Sequence, residues 1–162
     1  MGEAPPTVCR LMILNRQRRI RIPIKRLGKF LVRARKALRL PSDSLTVCLV
    51  TNSQIARWNR RYRGKLKPTD VLSFPAESER KPSLQAAWGR KARGSETPYL
   101  GDIAIAPAVA RRNARRFRRT FDDEMHILIL HGILHLMGYD HETDTGQMDR
   151  RERLLRRKLG LA

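Results

Sequence analysis

Residues 131–141 read HGILHLMGYDH and contain three of the chain's four histidines. On an α-helix, residues four apart share a face with Cβ atoms about 6 Å apart, so His131 and His135 can serve one cation without bending the backbone. His141 cannot join them by continuing the helix: six further positions at about 100° each leave it roughly 240° round the axis. The helix must stop and the chain fold back. Gly138 is placed to do this, since glycine readily takes the left-handed conformation that ends helices. Upstream, Thr120 with Asp123 makes an acidic variant of a capping box, and Asp122, Asp123 and Glu124 suit the positive end of a helix dipole. A buried helix from near Phe121 to near Met137 is expected, with a metal site at its C-terminal end.

A single histidine on an apolar helix is usually packed and hydrogen-bonded. Three at this spacing, with a glycine stop between the second and third, point to metal ligation instead. Neutral imidazole suits borderline cations, zinc first, with nickel and copper also compatible. Three protein ligands leave a fourth position open, the mark of a catalytic site, and a water held there ionises near neutral pH. The spacing also matches the extended metzincin peptidase signature, in which a glutamate general base follows the first histidine. Here Gly132 occupies that position and offers no proton acceptor. Metal chemistry survives; a peptidase assignment is weakened.

Outward from this block, Val8 to Leu14 reads as a strand, and the alternation from Leu11 to Ile24 leads into a helix from Ile24 to Leu40, closed by Pro41. LTVCLV from Leu45 to Val50 is a second strand. Asn52 or Ser53 can cap a short helix through Tyr62, and Val71 to Phe74 is a third strand stopped by Pro75. Residues 75–98 are polar with scattered Pro, Ser and Gly, and read as a mobile loop. Leu100 to Ala106 is a fourth strand, Pro107 to Arg119 a very basic helix, and Asp144 to Leu159 a last helix with apolar Met148, Leu154, Leu155 and Leu159. This order describes one α+β domain over residues 1–162, a mixed four-stranded sheet with helices packed on it.

The chain has 162 residues, with 35 Lys and Arg against 15 Asp and Glu, a net charge of +20. Such a surface favours polyanions, nucleic acid first, although a solvated arginine-rich surface without a partner is the bland alternative. Six arginines between Arg111 and Arg119 either face solvent or face RNA phosphates. Trp58, Tyr62 and Trp88 either pack in the core or stack on bases. Cys9 and Cys48 lie far apart in apolar runs and read as buried thiols of a reducing compartment. No apolar stretch approaches the roughly 20 residues that cross a bilayer. The start lacks a secretory pattern, and the arginine-rich run from Arg16 to Arg35 reads as strand and helix rather than a transit peptide. A soluble, cytoplasmic protein is expected.

HGILHLMGYDH, LGDI at 100–103 and NRRYRGKLKPTDVLSFP at 59–75 together resemble the YbeY endoribonucleases, bacterial ribosomal-RNA maturation factors. The blocks fall in the family's order, and the resemblance extends over essentially the whole chain. It implies a metal-dependent, single-strand-specific endoribonuclease acting on ribosomal RNA, notably the 3′ end of the small-subunit RNA, and in ribosome quality control. It implies His131, His135 and His141 as ligands of one Zn2+ and as catalytic residues with Arg63, which would bind the scissile phosphate and counter its developing charge. Single-stranded ribosomal RNA is the implied partner, with room for small-subunit ribosomal proteins. Leu66 departs from the acidic residue frequent in the family at that position. His126 matches a position often histidine there, but lies roughly 140° from His131 on the helix and reads as a buried hydrogen-bonding group. Asp140 either orients an imidazole or is a loop carboxylate, and Asp102 either faces the cleft or ends the sheet edge in solvent. Two other classes stay open: a non-catalytic RNA-binding assembly factor with a structural metal, and a metallopeptidase with its base elsewhere.

Overall fold

The computed structural model describes residues 13–76 and 99–161. Its elements run β1 (Ile13–Asn15), α1 (Ile24–Ala37), β2 (Leu45–Leu49), α2 (Asn52–Arg63), β3 (Val71–Pro75), β4 (Gly101–Ile105), α3 (Pro107–Arg116), α4 (Phe121–Leu136) and α5 (Gln147–Leu159). The four strands form one mixed sheet in the order β1-β2-β4-β3, with β1, β2 and β4 parallel and β3 antiparallel to β4. The α+β class, the element order and the four-stranded sheet are those the sequence predicts. Val8 to Met12 of the first expected strand, Cys9 among them, the segment 77–98 read as a mobile loop, and Trp88 lie outside the described residues.

Alternation along β2 and β4 divides the core. Leu45, Val47, Leu49, Ile103 and Ile105 face the larger cluster, where Phe30 and Leu31 of α1, Ile129, Leu130 and Ile133 of α4, and Leu155 of α5 pack against them. Cys48, Ala104, Leu72 and Phe74 face the other way, under Ile55 of α2 with Trp58 and Tyr62 packed alongside. Phe74 meets the Trp58 and Tyr62 rings edge-on at 5.9 and 5.2 Å between centroids, so both aromatics belong to the packing. Helix α4 is apolar nearly all round, as a helix enclosed by a sheet and three other helices must be.

Several boundaries differ from expectation, each for a local reason. The alternation from Leu11 to Ile24 does not continue the strand beyond Asn15. There the Asn15 Oδ1 accepts from Gln17 N, and Gln17 in turn bonds both the amide and the carbonyl of Ile20, giving the backbone a side-chain alternative to the ladder. Helix α1 ends at Ala37 rather than Leu40, because Arg39 takes φ +56° and Leu40 donates back to Arg35 O at 2.9 Å ahead of Pro41. The cap of α2 is Thr51, whose hydroxyl accepts from Gln54 N, rather than Asn52 or Ser53. Helix α3 stops at Arg116. Phe117 beyond it is 51% exposed, with the guanidinium groups of Arg116 and Arg119 over its ring, so it adds little to the core. Helix α5 starts at Gln147, the Asp144 carboxylate accepting from Gly146 N and Met148 N ahead of it. Its Leu154 is exposed, whereas Met148, Leu155 and Leu159 are buried.

Candidate metal centre

Helix α4 begins as predicted, with the Thr120 hydroxyl accepting from Asp123 N at 3.0 Å. It ends with Gly138 at φ +96°, Gly138 N donating to His135 O and Tyr139 N to Leu134 O. That is the glycine-stopped reversal needed to bring His141 back over the last turn. The loop beyond is tied by Asp140, which accepts from Glu142 N at 3.0 Å and Thr143 Oγ1 at 3.1 Å. These bonds hold the Asp140 carboxyl below its ordinary range. Asp140 therefore organises the loop; the orienting role left open for it falls to another residue.

The three imidazoles converge. Their centroids are 4.8 Å (His131 and His135), 5.3 Å (His131 and His141) and 5.2 Å (His135 and His141) apart, and one ligand atom from each lies within 4.8 Å of the others. Two nitrogens sharing a tetrahedral zinc at about 2.05 Å would sit about 3.3 Å from each other. The Nε2 atoms of His131 and His135 are 3.2 Å apart, so this pair has the spacing of two ligands on such a cation, and with His141 the three rings could hold one. Burial, then the neighbouring His131 and His141, hold His135 below the ordinary histidine range, which keeps it in the neutral, ligating form.

Glu152 of α5 completes the arrangement, and the sequence reading missed it. Its Oε2 lies 2.8 Å from His131 Nδ1, while Oε1 accepts from Arg156. Burial pushes the Glu152 carboxyl up, but the His131 hydrogen bond and the Arg156 charge outweigh it and hold the group below its usual range. As a carboxylate it can only accept, so Nδ1 carries the proton and Nε2 is left as the donor to a metal. The signal was present: Met148, Glu152, Leu155 and Leu159 follow helical spacing, so Glu152 is an acidic residue in the buried stripe of a basic helix.

Gly132 explains itself at the sheet. A Cβ there would lie 2.7 Å from Cγ2 of the fully buried Ile103, and its carbonyl accepts from Ser73 Oγ of β3 at 3.0 Å. A side chain at the metzincin base position would run into β4. His126 sits away from the triad, stacked on Phe30 at 4.1 Å between centroids, a ring contact where a hydrogen-bonding role was expected. Asp102 is 1% exposed on the sheet face opposite α4, its Oδ1 2.5 Å from the Tyr99 hydroxyl, so it neither faces the cleft nor reaches solvent. Leu66 is 76% exposed.

Arg63 is the last residue of α2, before Gly64 at φ +67°. Its Nη2 pairs with Glu142 Oε1 at 2.9 Å, which brings the guanidinium against the loop that carries His141. The family description Endoribonuclease YbeY matches residues 12–160, thus including the triad, Glu152 and Arg63. The chain belongs to the YbeY endoribonuclease family. An Endoribonuclease YbeY of Koribacter versatilis (strain Ellin345) is 37% identical over 150 residues, covering 93% of this chain and 86% of that one. One of Sulfurovum sp. (strain NBC37-1) is 35% identical, covering 91% and 90%. The solution structure of TM1509 from Thermotoga maritima superposes with a TM-score of 0.55 at 28% identity, over 91% of this chain and 87% of that one. Among the described residues, no helix is long and apolar enough to cross a membrane.

Proposed function

We propose that this YbeY-family chain is a metal-dependent endoribonuclease that cuts single-stranded RNA, acts in ribosomal-RNA maturation at the small-subunit 3′ end and in ribosome quality control, and works in the cytoplasm. The observation that carries this reading is the convergence of three imidazoles on one point beside the loop that Arg63 reaches. Small-subunit ribosomal proteins are the protein partners it admits.

His131, His135 and His141 hold the cation, for which zinc suits three neutral imidazoles. A bound divalent cation supplies Lewis-acid charge neutralisation next to the phosphate. Glu152 fixes His131 in the tautomer that presents Nε2, and lowering of the His135 pKa keeps that ring unprotonated at neutral pH. Arg63 binds the non-bridging oxygens of the scissile phosphate and stabilises the charge that builds there. The basic surface holds the flanking strand, with Arg111, Arg112, Arg115 and Arg116 all solvent-facing on α3.

A peptidase reading is disfavoured because the place of its glutamate base is filled by the sheet. The test is cleavage of labelled single-stranded RNA by metal-loaded protein, with protein substrates alongside. Cleavage is expected to be lost in His135→Ala and strongly reduced in Arg63→Ala. Intact RNA with the metal-loaded wild type, or equal cleavage by all three proteins, would overturn the proposal. The end groups of the product tell attack by water from attack by the 2′-hydroxyl.

A further inference from the structure

Arg63 is already engaged, and its partner is an acid. Glu142 lies 79 positions away in sequence and immediately follows the third histidine, yet its Oε1 meets Arg63 Nη2 at 2.9 Å. A carboxylate at the rim of a site for a polyanion is electrostatically costly to substrate binding, in a chain whose acids are outnumbered 35 to 15. The loop fixes Glu142 in this place, since Asp140 Oδ1 holds the Glu142 amide and Oδ2 holds Thr143.

Resting on the function proposed above, we infer that Glu142 is the exchange partner of Arg63. It keeps the guanidinium turned to the triad in the free protein and yields it to the phosphodiester. Two features make the exchange feasible. The contact joins one oxygen to one nitrogen, whereas a phosphate can accept two parallel bonds from a guanidinium. Both side chains are partly solvent-exposed, at 38% and 57%, so the ion pair is weak enough to open. The result is selectivity: Arg63 is released only to a ligand that offers a better anion than Glu142 at the triad's edge.

The test uses one single-stranded RNA oligonucleotide at low ionic strength, where exposed pairs are least screened. KM for cleavage is measured with metal-loaded protein, and Kd for the same strand in a His135→Ala background. Glu142→Gln and Glu142→Ala are expected to lower KM and Kd about two- to fivefold, the range of an exposed pair. Arg63→Ala weakens binding, and adding Glu142→Gln to it recovers less than the same substitution gains in the parent. Unchanged or weaker binding in Glu142→Gln, or the same gain with and without Arg63, overturns the exchange and leaves the nuclease reading standing. An Arg63→Ala protein that binds RNA as tightly as its parent overturns both this inference and the phosphate role of Arg63.

Discussion

Gly132→Ala adds one methyl group where α4 crosses β4, and two effects of opposite sign compete there. In a helix interior, alanine is more favourable than glycine by about 0.8–1.0 kcal/mol. Against that, the new Cβ would stand 2.7, 3.0 and 3.1 Å from Cγ2, Cδ1 and Cγ1 of Ile103, whereas carbon atoms pack best at about 3.5–4.0 Å. Ile103 is fully buried and β-branched, so it has no free rotamer to escape into, and the Ser73 bond to Gly132 O ties β3 to the same point. Overpacking of this kind costs about 1–3 kcal/mol. The net is a destabilisation of about 0–2 kcal/mol, and each kcal/mol lowers Tm by about 2–4 °C in a domain of this size. Urea and thermal melts of wild type and variant measure it. In an Ile103→Ala background the same substitution should cost less, because the obstructing side chain is gone. A Gly132→Ala protein stabilised by about 1 kcal/mol would refute the reasoning and show that helix propensity alone governs this position.

Glu152→Gln should keep the hydrogen-bonding shape but lose the carboxylate that sets the His131 tautomer. Metal affinity, measured by competition with a chelator, is expected to fall about 10- to 100-fold, and an unchanged affinity would remove Glu152 from the site. RNA affinity should fall steeply with salt, at about 0.7 log units per log unit of salt for each phosphate neutralised on a single strand; a flat plot would mean that the +20 charge does not contact the backbone. Burial holds the His126 pKa below its ordinary value, so the unfolded chain binds the extra proton first. His126 therefore contributes stability that is present above about pH 6.5 and is lost as pH falls through the lowered native pKa. In melts between about pH 7.5 and 5, a range set from that unfolded value, wild type should lose stability relative to His126→Phe as pH falls, and parallel curves would exclude this linkage.

The fold class was legible because its signals were strong and local. Helix α4 carried a cap, an acidic first turn and a glycine stop, and β2 was a continuous apolar run between turn residues. The triad was legible for the same reason, since His131 and His135 are related by helix geometry and His141 by a single reversal at Gly138. What escaped were interactions between distant segments or between side chain and backbone. Gln17 ends β1 by bonding Ile20, which hydrophobic alternation cannot show. Asp140 was the acceptor candidate beside the last histidine, and Glu152 escaped notice because only the packing of α5 on α4 brings it to His131. Glu142 is one of many exposed acids until α2 delivers Arg63 to it.

Helix α4 has to meet two demands that pull against each other. Met125, Leu128, Ile129 and Ile133 must fill the space between the sheet and the other helices, and the same helix must present two imidazoles to a solvent-accessible point. The conflict is resolved round the axis. Ile133 and Leu134 are fully buried in the same turns that carry His131 and His135, while the two histidines, four residues apart, share a partly exposed face over which the reversal at Gly138 lays a loop. Between the two histidines, a Cβ at Gly132 would crowd Ile103 of β4, and glycine is the residue that lets the backbone approach. The glutamate of a peptidase helix would need that same room. Close packing on the sheet thus disfavours a glutamate base at this position, and leaves the charge-bearing groups of this site to arrive from α2, α5 and the loop after Gly138.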